Sequence, residues 1–481
     1  MSSDGKFFKV SGLKSDSGDE EFMYTVALDN FNITQQSKDS SSDDWITTLQ
    51  VNNDASLWFE TETEQGAANG AQPHLYGREG ADESDIATLK TQIDSAVGRE
   101  VYRDIPASEA GSMKGGVNRA IGLGFWMPSK SLYGLGERES SPLVLQRDGT
   151  GYEMWAYDHP HLPDRVDGLY GNMPYVQGVD SSTAEALAWV NSAHTWCWLD
   201  ENTTSSGSDI HIVSETGALE VFLFSSAVKT TEKSLNRNKR MSNDLASVTG
   251  FAPLPPVHTL GYHFSKYDRV SAEIMMERNR NFTDYEFPVD VLVMDIQWAD
   301  KDSAKDGYEY FQFNPQNFTE TDIAQMNTEV EAEGRYMTVI LDPHIKVADD
   351  YFVYAEGQEL QLESSESNIF VKDSDGSSDF HGSSWPGTSV WIDFLNKNAQ
   401  EYWSGLYDYN KFKGSSPIYY AWNDMNEPSV FSTRTRTIPT DAKHIRATGE
   451  QVEHREFHNA FGATQQMASY KGIIARDDQT Q

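Results

Sequence analysis

Carboxyl groups and aromatic rings follow three apolar segments in the second half of the chain. The segments are Met294-Asp-Ile-Gln-Trp-Ala-Asp300, Ile340-Leu-Asp-Pro-His344 and Trp422-Asn-Asp-Met-Asn-Glu-Pro428. Side chains at the carboxyl ends of parallel strands meet at one edge of a sheet or barrel, where active sites are built. A single Asp after a strand is commonly a helix N-cap, but the same ending on three strands favours a site. We therefore expect several carboxylates to converge on one opening.

The residue types at this opening suit carbohydrate chemistry. Sugar hydroxyls need acceptors such as carboxylates, and the apolar faces of a sugar stack on rings such as Trp298, Trp385 and Trp422. Hydrolysis of a glycosidic bond needs two carboxyl groups, one as nucleophile or base and the other as acid. Because that pair completes the reaction, no cofactor is expected.

A divalent metal is the alternative ligand for the same residue types. Asp, Glu and His all coordinate metals, and the spacing of His454 and His458 would put both rings on one face of a helix. However, Arg455 stands where the zinc-protease motif needs its Glu. No spaced Asp cluster completes a site, so the metal interpretation is the weaker one.

The rhythm of apolar residues changes along the chain and predicts three regions. Residues 1–119 contain polar stretches, among them Gln35 to Asp44, which we interpret as loops or disorder. Residues 120–252 carry short β-type runs separated by turns, which is typical of an antiparallel β-sandwich. Residues 253–481 begin with Pro253-Leu-Pro-Pro256 and then alternate strands with helices, as in the first half of a (β/α)8 TIM-type barrel.

Four strand–helix pairs are predicted within residues 253–481. The predicted strands are Thr259 to Phe264, Val289 to Ile296, Tyr336 to Ile345 and Ile418 to Asp424, and the predicted helices lie near Ser271 to Asn281, Glu320 to Glu333, Asn396 to Tyr409 and His454 to Tyr470. Continuous apolar runs such as Val291-Leu-Val-Met294 are expected of parallel strands that are covered on both faces.

Composition excludes several classes of protein. The 481 residues include 38 Lys and Arg against 74 Asp and Glu, which gives a formal net charge of −36. Nucleic acid, which requires a basic surface, is therefore not an expected partner. Cys197 is the single cysteine, so intrachain disulfides and cysteine-zinc sites are excluded. We found no run of 18 apolar residues and no apolar core of a signal peptide at the start, so no membrane span is expected.

The segment Trp422-Asn-Asp-Met-Asn-Glu-Pro-Ser-Val-Phe431 closely resembles the nucleophile motif of glycoside hydrolase family 31. Other segments match the same family in the same order, and together they cover residues 120 to 470, whereas the first hundred residues match little. These segments are Leu132-Tyr-Gly-Leu-Gly-Glu137, Leu169-Tyr-Gly-Asn-Met-Pro174, Ser214-Glu-Thr-Gly217, Leu260-Gly-Tyr-His263, Val293-Met-Asp-Ile296, Asp342-Pro-His-Ile-Lys346, Trp385-Pro-Gly387 and Glu453-His-Arg-Glu-Phe-His-Asn459.

The resemblance implies a retaining α-glucosidase with a β-sandwich beside a (β/α)8 barrel. Asp424 would be the nucleophile that forms a covalent glucosyl ester. Asp295 would hold outer hydroxyls of the glucose, and Asp158 would come from the sandwich toward the leaving group. The remaining residues implied to line the glucose site are Tyr267, Ile340, Trp385, Trp422 and Met425.

The resemblance also implies a substrate, a location and a partner. The substrate would be an oligosaccharide or a glycoprotein glycan with a terminal α-linked glucose. The members that this chain resembles most act in the lumen of the endoplasmic reticulum and pair with a regulatory subunit that carries a retention signal. A luminal heterodimer is therefore implied by the family.

One part of the family pattern is not matched. The general acid of the family is an Asp on a later strand, and Asp477 and Asp478 lie in a polar tail that does not match it. We therefore interpret the chain as a truncated portion of the enzyme. We expect it to be aggregation-prone and poorly active alone, because protonation of the leaving group contributes roughly 10²- to 10⁴-fold.

Two alternatives stay open at this point. The chain could be a non-catalytic, truncated paralogue that still binds carbohydrate. Alternatively, Asn426-Glu427 resembles the Asn-Glu pair of retaining β-glycosidases, in which Glu427 would be the acid.

Overall fold

The computed structural model describes most of the chain in two compact units, residues 1–252 and residues 253–481. We call them the sandwich unit and the β/α unit, and we describe each by itself. The described residues are 7–14, 20–27, 31–39, 43–53, 57–61, 72–75, 121–138, 143–158, 168–180, 183–204, 206–227, 234–299, 307–363, 368–433 and 435–478.

The described part of the sandwich unit consists of strands followed by one helix. The strands are β1 (Phe7–Lys14), β2 (Glu20–Ala27), β3 (Asn32–Asp39), β4 (Ile46–Val51), β5 (Trp58–Thr61), β6 (Gln72–Leu75), β7 (Ile121–Met127), β8 (Leu132–Gly134), β9 (Asp148–Met154), β10 (Tyr175–Val179), β11 (Thr183–Trp189), β12 (Thr195–Glu201), β13 (Ser208–Ser214) and β14 (Val221–Ala227). Helix α1 (Ser234–Thr249) follows them.

Two antiparallel sheets form this unit. The larger has the order β1-β2-β3-β4-β7-β13-β12-β9, with the β5–β6 hairpin also pairing on β7, and the smaller has the order β14-β11-β10-β8. Apolar side chains of both sheets pack into one core that includes Phe125, Val176, Leu187 and Ile210. Helix α1 covers the smaller sheet and buries Met241 against it. The predicted sandwich is thus present.

The polar segment from Gln35 to Asp44, which we predicted to be a loop, begins inside strand β3. Gln35 and Ser37 are buried, and the Gln35 amide donates to the hydroxyl of Ser225. Polar side chains can occupy a strand interior when they find hydrogen-bond partners there. The larger sheet therefore includes strands within residues 7–51, whereas the sequence placed the start of the sandwich at residue 120.

The described part of the β/α unit alternates strands with helices. The strands are β15 (His263–Phe264), β16 (Val291–Met294), β17 (Tyr336–Ile340), β18 (His344–Lys346), β19 (Gly382–Ser384), β20 (Gly387–Trp391), β21 (Tyr419–Trp422), β22 (Lys443–Ile445) and β23 (Gln451–Glu453). The helices are α2 (Ala272–Asp284), α3 (Glu320–Ala332), α4 (Phe352–Glu363), α5 (Lys397–Gly405), α6 (His454–Phe457) and α7 (Phe461–Asp478).

Four of these strands form a parallel sheet in the order β15-β16-β17-β21. Capping side chains set the starts of the helices between them. Ser271 accepts from the N–H of Ile274 at the start of α2, and Thr319 accepts from that of Asp322 at the start of α3. A core of apolar side chains, including Leu292, Val339 and Trp403, lies among these elements.

Two of the predicted strands differ in the structure. In the segment predicted as a strand from Thr259 to Phe264, the first two residues end a 3₁₀ turn, Val257–Leu260, and only the last two enter the sheet as β15. The predicted strand from Tyr336 to Ile345 divides at Pro343, which has no N–H to donate to a ladder. Strand β18, after this proline, joins β20 and β19 in a separate antiparallel sheet.

None of the helices in the described residues is long and apolar enough to span a membrane.

Candidate active site

The carboxyl ends of β16, β17 and β21 lie at one edge of the parallel sheet. Ile340 pairs with Trp422 between β17 and β21, and the N–H of Leu341 donates to the carbonyl of Trp422 at 2.8 Å. Asp295 follows β16 directly, and Asp424 lies two residues beyond β21. The structure therefore places these predicted residues at the ends of three adjacent strands, with β17 between β16 and β21.

The side chains of Tyr267 and Ile340 differ in their exposure to solvent. Tyr267 lies three residues after β15, at the same edge, and its side chain is 63% exposed. Ile340 is 2% exposed and packs in the apolar core. The side chain of Tyr267 is therefore open to solvent, whereas that of Ile340 is part of the core.

Asp295 combines a fixed orientation with a perturbed acidity. Its Oδ1 accepts the N–H of Ile296 at 2.7 Å, which stabilises one orientation of the half-buried carboxyl. Burial raises the pKa of Asp295 above its ordinary value, and the carboxylate of Asp342 adds to this rise, whereas the Ile296 N–H opposes it. Perturbed carboxyls of this kind are concentrated at functional sites.

The loop that carries Asp424 is held from behind by helix α7. The amide of Asn423 donates to Gln466 Oε1 at 2.6 Å, and the hydroxyl of Ser469 donates to Asn423 Oδ1 at 3.0 Å. Met425 has a φ of 56°, in the left-handed region that residues other than glycine rarely occupy. The backbone therefore turns sharply directly after Asp424, and the residue before Asp424 is held by hydrogen bonds to α7.

Trp385 lies on the turn between β19 and β20, and its indole is 39% exposed. Its ring meets that of Phe431 edge to face, with the centroids 5.0 Å apart. The N–H of Phe431 also donates to the carbonyl of Ser383 at 2.7 Å. These contacts bring the Trp385 hairpin onto the segment that follows Asp424, so the two predicted parts of the site are joined.

A buried polar network lies behind these residues. Tyr310 donates its hydroxyl to Asp342 Oδ2, and His344 Nε2 lies 3.2 Å from the same oxygen. On the other side of the imidazole, Nδ1 lies 3.0 Å from Ser384 Oγ. Burial and the Asp342 carboxylate raise the pKa of Tyr310 well above its ordinary value, so it stays a donor. The sequence singled out Asp342 and His344 but missed Tyr310 and Ser384.

Trp298 does not have the role that the sequence assigned to it. We predicted a platform for a sugar face, but Trp298 is fully buried and packs against Phe313 and Phe412. Its Nε1 donates to the carbonyl of Ile340 at 3.1 Å. The ring of Trp298 therefore ties the ends of β16 and β17 together from within the core.

Asp158 belongs to the sandwich unit, in the segment that follows β9. The preceding Tyr157 donates its hydroxyl to Glu153 Oε2 at 2.9 Å, and Glu153 Oε1 lies 2.6 Å from His194 Nε2. All three partners are buried. This contact anchors the loop immediately before Asp158.

The two histidines considered as metal ligands are instead linked to each other and to further partners. His454 Nε2 lies 2.7 Å from His458 Nδ1, and His454 Nδ1 lies 2.9 Å from His444 Nε2. His444 Nδ1 in turn lies 2.7 Å from Asp393 Oδ1. Across the residues that the structure describes, no group of three or more His, Cys, Asp or Glu side chains is arranged to hold a metal ion.

Comparison with protein families gives two matches. Residues 252–481 match the glycosyl hydrolases family 31 TIM-barrel domain, and residues 15–197 match the glycosyl hydrolase 31 N-terminal galactose mutarotase-like domain. The second match begins well inside residues 1–119, where the sequence motifs showed little resemblance. Together the matches confirm the predicted fold class of a β-sandwich followed by a TIM-type barrel domain.

Curated relatives and solved structures point the same way. Human neutral alpha-glucosidase AB is 30% identical over 377 residues, which are 74% of this chain and 37% of the relative. A probable glucan 1,3-alpha-glucosidase of Arabidopsis thaliana is 32% identical over 364 residues, which are 73% of this chain and 37% of the relative. A crystal structure of the ER glucosidase II heterodimeric complex matches with a TM-score of 0.76 and 27% identity over 98% of this chain and 46% of the matched chain. The chain therefore spans less than half the length of these relatives.

Proposed function

Since the chain belongs to glycoside hydrolase family 31, we propose that it hydrolyses terminal α-linked glucose with Asp424 as the nucleophile. The observation that carries this proposal is the placement of Asp295 and Asp424 at the same edge of the parallel sheet, at the ends of β16 and β21 with β17 between them, where the indole of Trp385 is 39% exposed. At one edge of a sheet, aromatic rings can stack on a sugar while a carboxylate attacks its anomeric carbon.

The proposed chemical step is displacement at the anomeric carbon. A carboxylate oxygen of Asp424 forms a bond to that carbon, and the electron pair of the glycosidic bond leaves with the departing oxygen. The product is a glucosyl ester of Asp424, which a water molecule then hydrolyses, so two inversions give net retention. The sharp turn at Met425 and the Asn423 contacts hold the backbone on either side of Asp424.

Sugar binding is proposed for the residues around Asp424. Asp295 would accept hydrogen bonds from glucose hydroxyls, because its carboxyl group is oriented by Ile296. Trp385, Trp422 and Tyr267 would offer ring faces to the sugar. Met425 and Ile340 would shape the floor, and Asp158 is included on the strength of its family resemblance.

A natural substrate follows from the relatives rather than from the geometry. Because glucosidase II and glucan 1,3-alpha-glucosidase are among the relatives, we assign N-glycan trimming in the endoplasmic reticulum lumen to this chain as part of the proposal. The solved heterodimer contains the binding domain of a regulatory subunit, and a similar β subunit is the proposed partner. Co-purification from the source cells, followed by mass spectrometry, tests that assignment.

The nucleophile is tested with 5-fluoro-α-D-glucosyl fluoride. Fluoride departs without protonation, so the reagent reports the attack by Asp424 independently of any general acid. We expect the chain to gain the mass of one fluoroglucosyl group on the peptide that contains Asp424. Asp424→Asn should abolish labelling, because an amide is a far weaker nucleophile than a carboxylate.

Glu427→Gln is the matched control for this experiment. Glu427 lies three residues from Asp424 in the same loop and is buried, and it is the residue that the β-glycosidase alternative requires. Labelling that survives Asp424→Asn but is lost in Glu427→Gln would overturn the assignment. If the parent chain is not labelled but 1-deoxynojirimycin still binds to it, the sugar-binding, non-catalytic alternative replaces the hydrolase.

A further inference from the structure

The β19–β20 hairpin that carries Trp385 is held in two places, through the backbone of Ser383 and through the side chain of Ser384. On one side, the backbone of Ser383 bonds to the 431–432 segment, where Phe431 N–H donates to its carbonyl and Ser432 Oγ accepts its N–H. On the other side, the hydroxyl of Ser384 meets the ring of His344. Besides the ladder between β18 and β20, this side-chain anchor joins the residue before Trp385 to the segment that follows β17.

The direction of the hydrogen bonds in this second anchor follows from its chemistry. Because the hydroxyl of Tyr310 donates to the carboxylate of Asp342, the hydroxyl oxygen is left to accept from His344 Nε2–H, and Nε2 lies 3.4 Å from that hydroxyl and 3.2 Å from Asp342 Oδ2. With its proton on Nε2, the imidazole presents a lone pair at Nδ1. The hydroxyl of Ser384 must then donate to Nδ1, so each group has one assigned role.

We propose that Tyr310, Asp342, His344 and Ser384 form a positioning network that holds Trp385 against the sugar site. The network connects the end of β17 to the residue directly before Trp385 through a chain of oriented hydrogen bonds. It rests on the proposed function, because it deepens the role of Trp385 in binding glucose. Its effect is to pre-organise one ring face and so reduce the ordering cost of binding.

The same arrangement is not a hydrolytic triad, although a serine, a histidine and an aspartate lie side by side in it. A nucleophilic serine must be reached by a substrate, whereas Ser384 is 4% exposed and His344 and Asp342 are fully buried. These groups cannot contact a sugar. They act through Trp385, whose ring is partly exposed.

The test compares Ser384→Ala with Ser383→Ala in the full chain. Ser383 lies on the same strand, and its anchoring contacts are made by the backbone, which the substitution leaves in place. The affinity for 1-deoxynojirimycin is measured by calorimetry at pH 7. We expect Ser384→Ala to bind about five- to tenfold more weakly, the worth of one hydrogen bond, and Ser383→Ala to bind like the parent chain.

A second readout reports the network without a sugar. Nitrogen NMR of the His344 ring, assigned with His344→Gln, should show a proton on Nε2 and none on Nδ1. A merely structural role for Ser384 would lower the melting temperature without a selective loss of affinity, and the melting temperature is therefore recorded for both alanine variants.

The outcomes separate the two proposals. If the parent chain binds the iminosugar and Ser384→Ala binds equally well, or if the His344 proton lies on Nδ1, the positioning network is wrong and the proposed function stands. If the parent chain neither binds the iminosugar nor reacts with the fluoride reagent, the proposed function is overturned and the positioning role with it.

Discussion

Glu185 is a carboxyl group buried inside the sandwich unit without a cation beside it among the described residues. Its Oε1 accepts the N–H of Ser129 at 3.0 Å, and it is fully inaccessible to solvent. Burial raises the pKa of Glu185 from an ordinary 4.5 to about 7, against the opposing Ser129 contacts. Between these values the folded state holds a proton that the unfolded state releases. The stabilising contribution is therefore complete below pH 4.5 and is lost as the pH rises through 7.

Replacing Glu185 by Gln removes this dependence. Gln keeps an acceptor for Ser129 and cannot ionise, so we expect the variant to be more stable than the parent at pH 8, by on the order of 1–3 kcal/mol. The difference should vanish at pH 4, where both states hold the proton. Thermal unfolding at both pH values measures it, with the exposed Glu220→Gln as control. A variant that is equally stable to the parent at pH 8 would contradict the assigned acidity of Glu185.

At the scale of elements, a chain of imidazole rings joins the β22–β23 hairpin, helix α6 and the loop after β20. Asp393 accepts from His444 and from three further N–H donors, those of Asn368, Leu395 and Ile445. Burial lowers the pKa of His454 well below its ordinary value of 6.5, and His458, His444 and Arg455 lower it further. The folded state therefore holds His454 neutral, whereas the unfolded chain binds a proton below pH 6.5. Stability is lost as the pH falls below that value.

We therefore expect the melting temperature of the β/α unit to fall between pH 7.5 and pH 5.5. Asp393 and Arg455 are charged groups beside these rings, and Arg455 is paired with Glu453 at 2.7 Å. His454→Gln should lose this pH dependence and be less stable than the parent at pH 7.5 by about 1–3 kcal/mol, because hydrogen bonds of two neighbouring rings are broken. His263→Gln, at an exposed ring, is the control. A melting temperature that is flat across this range in the parent would refute the prediction.

Elements with strong local signals were predictable from the sequence, and those that depend on distant contacts were not. The helix predicted near Ser271 begins at Ala272 in the structure, where Ser271 is the N-cap. Strand β3 was missed because its buried Gln35 finds its partner at Ser225, 190 residues away. Within the site, Asp295 and Asp424 could be predicted because each follows an apolar strand within two residues. Tyr310 and Ser384 carry no such signal, since they meet Asp342 and His344 across 32 and 40 residues.

At the scale of the whole molecule, the acidic excess sets how stability responds to salt. A formal charge of −36 spread over 481 residues makes the folded state repel itself, because folding brings like charges together. Surface ion pairs such as Arg280–Glu329 act in the opposite sense, since salt weakens their attraction. With 74 acidic and 38 basic residues, repulsion outnumbers attraction, so screening should stabilise the protein.

Raising NaCl from about 10 to 150 mM, which shortens the screening length from about 30 to 8 Å, is expected to raise the melting temperature by about 2–5 °C. Choline chloride at equal ionic strength is the control, because screening depends on ionic strength and not on the identity of the cation. Equal shifts with both salts support self-repulsion as the cause. A shift with NaCl alone would instead indicate a bound sodium ion, and a fall with both salts would mean that attractive ion pairs outweigh the net charge.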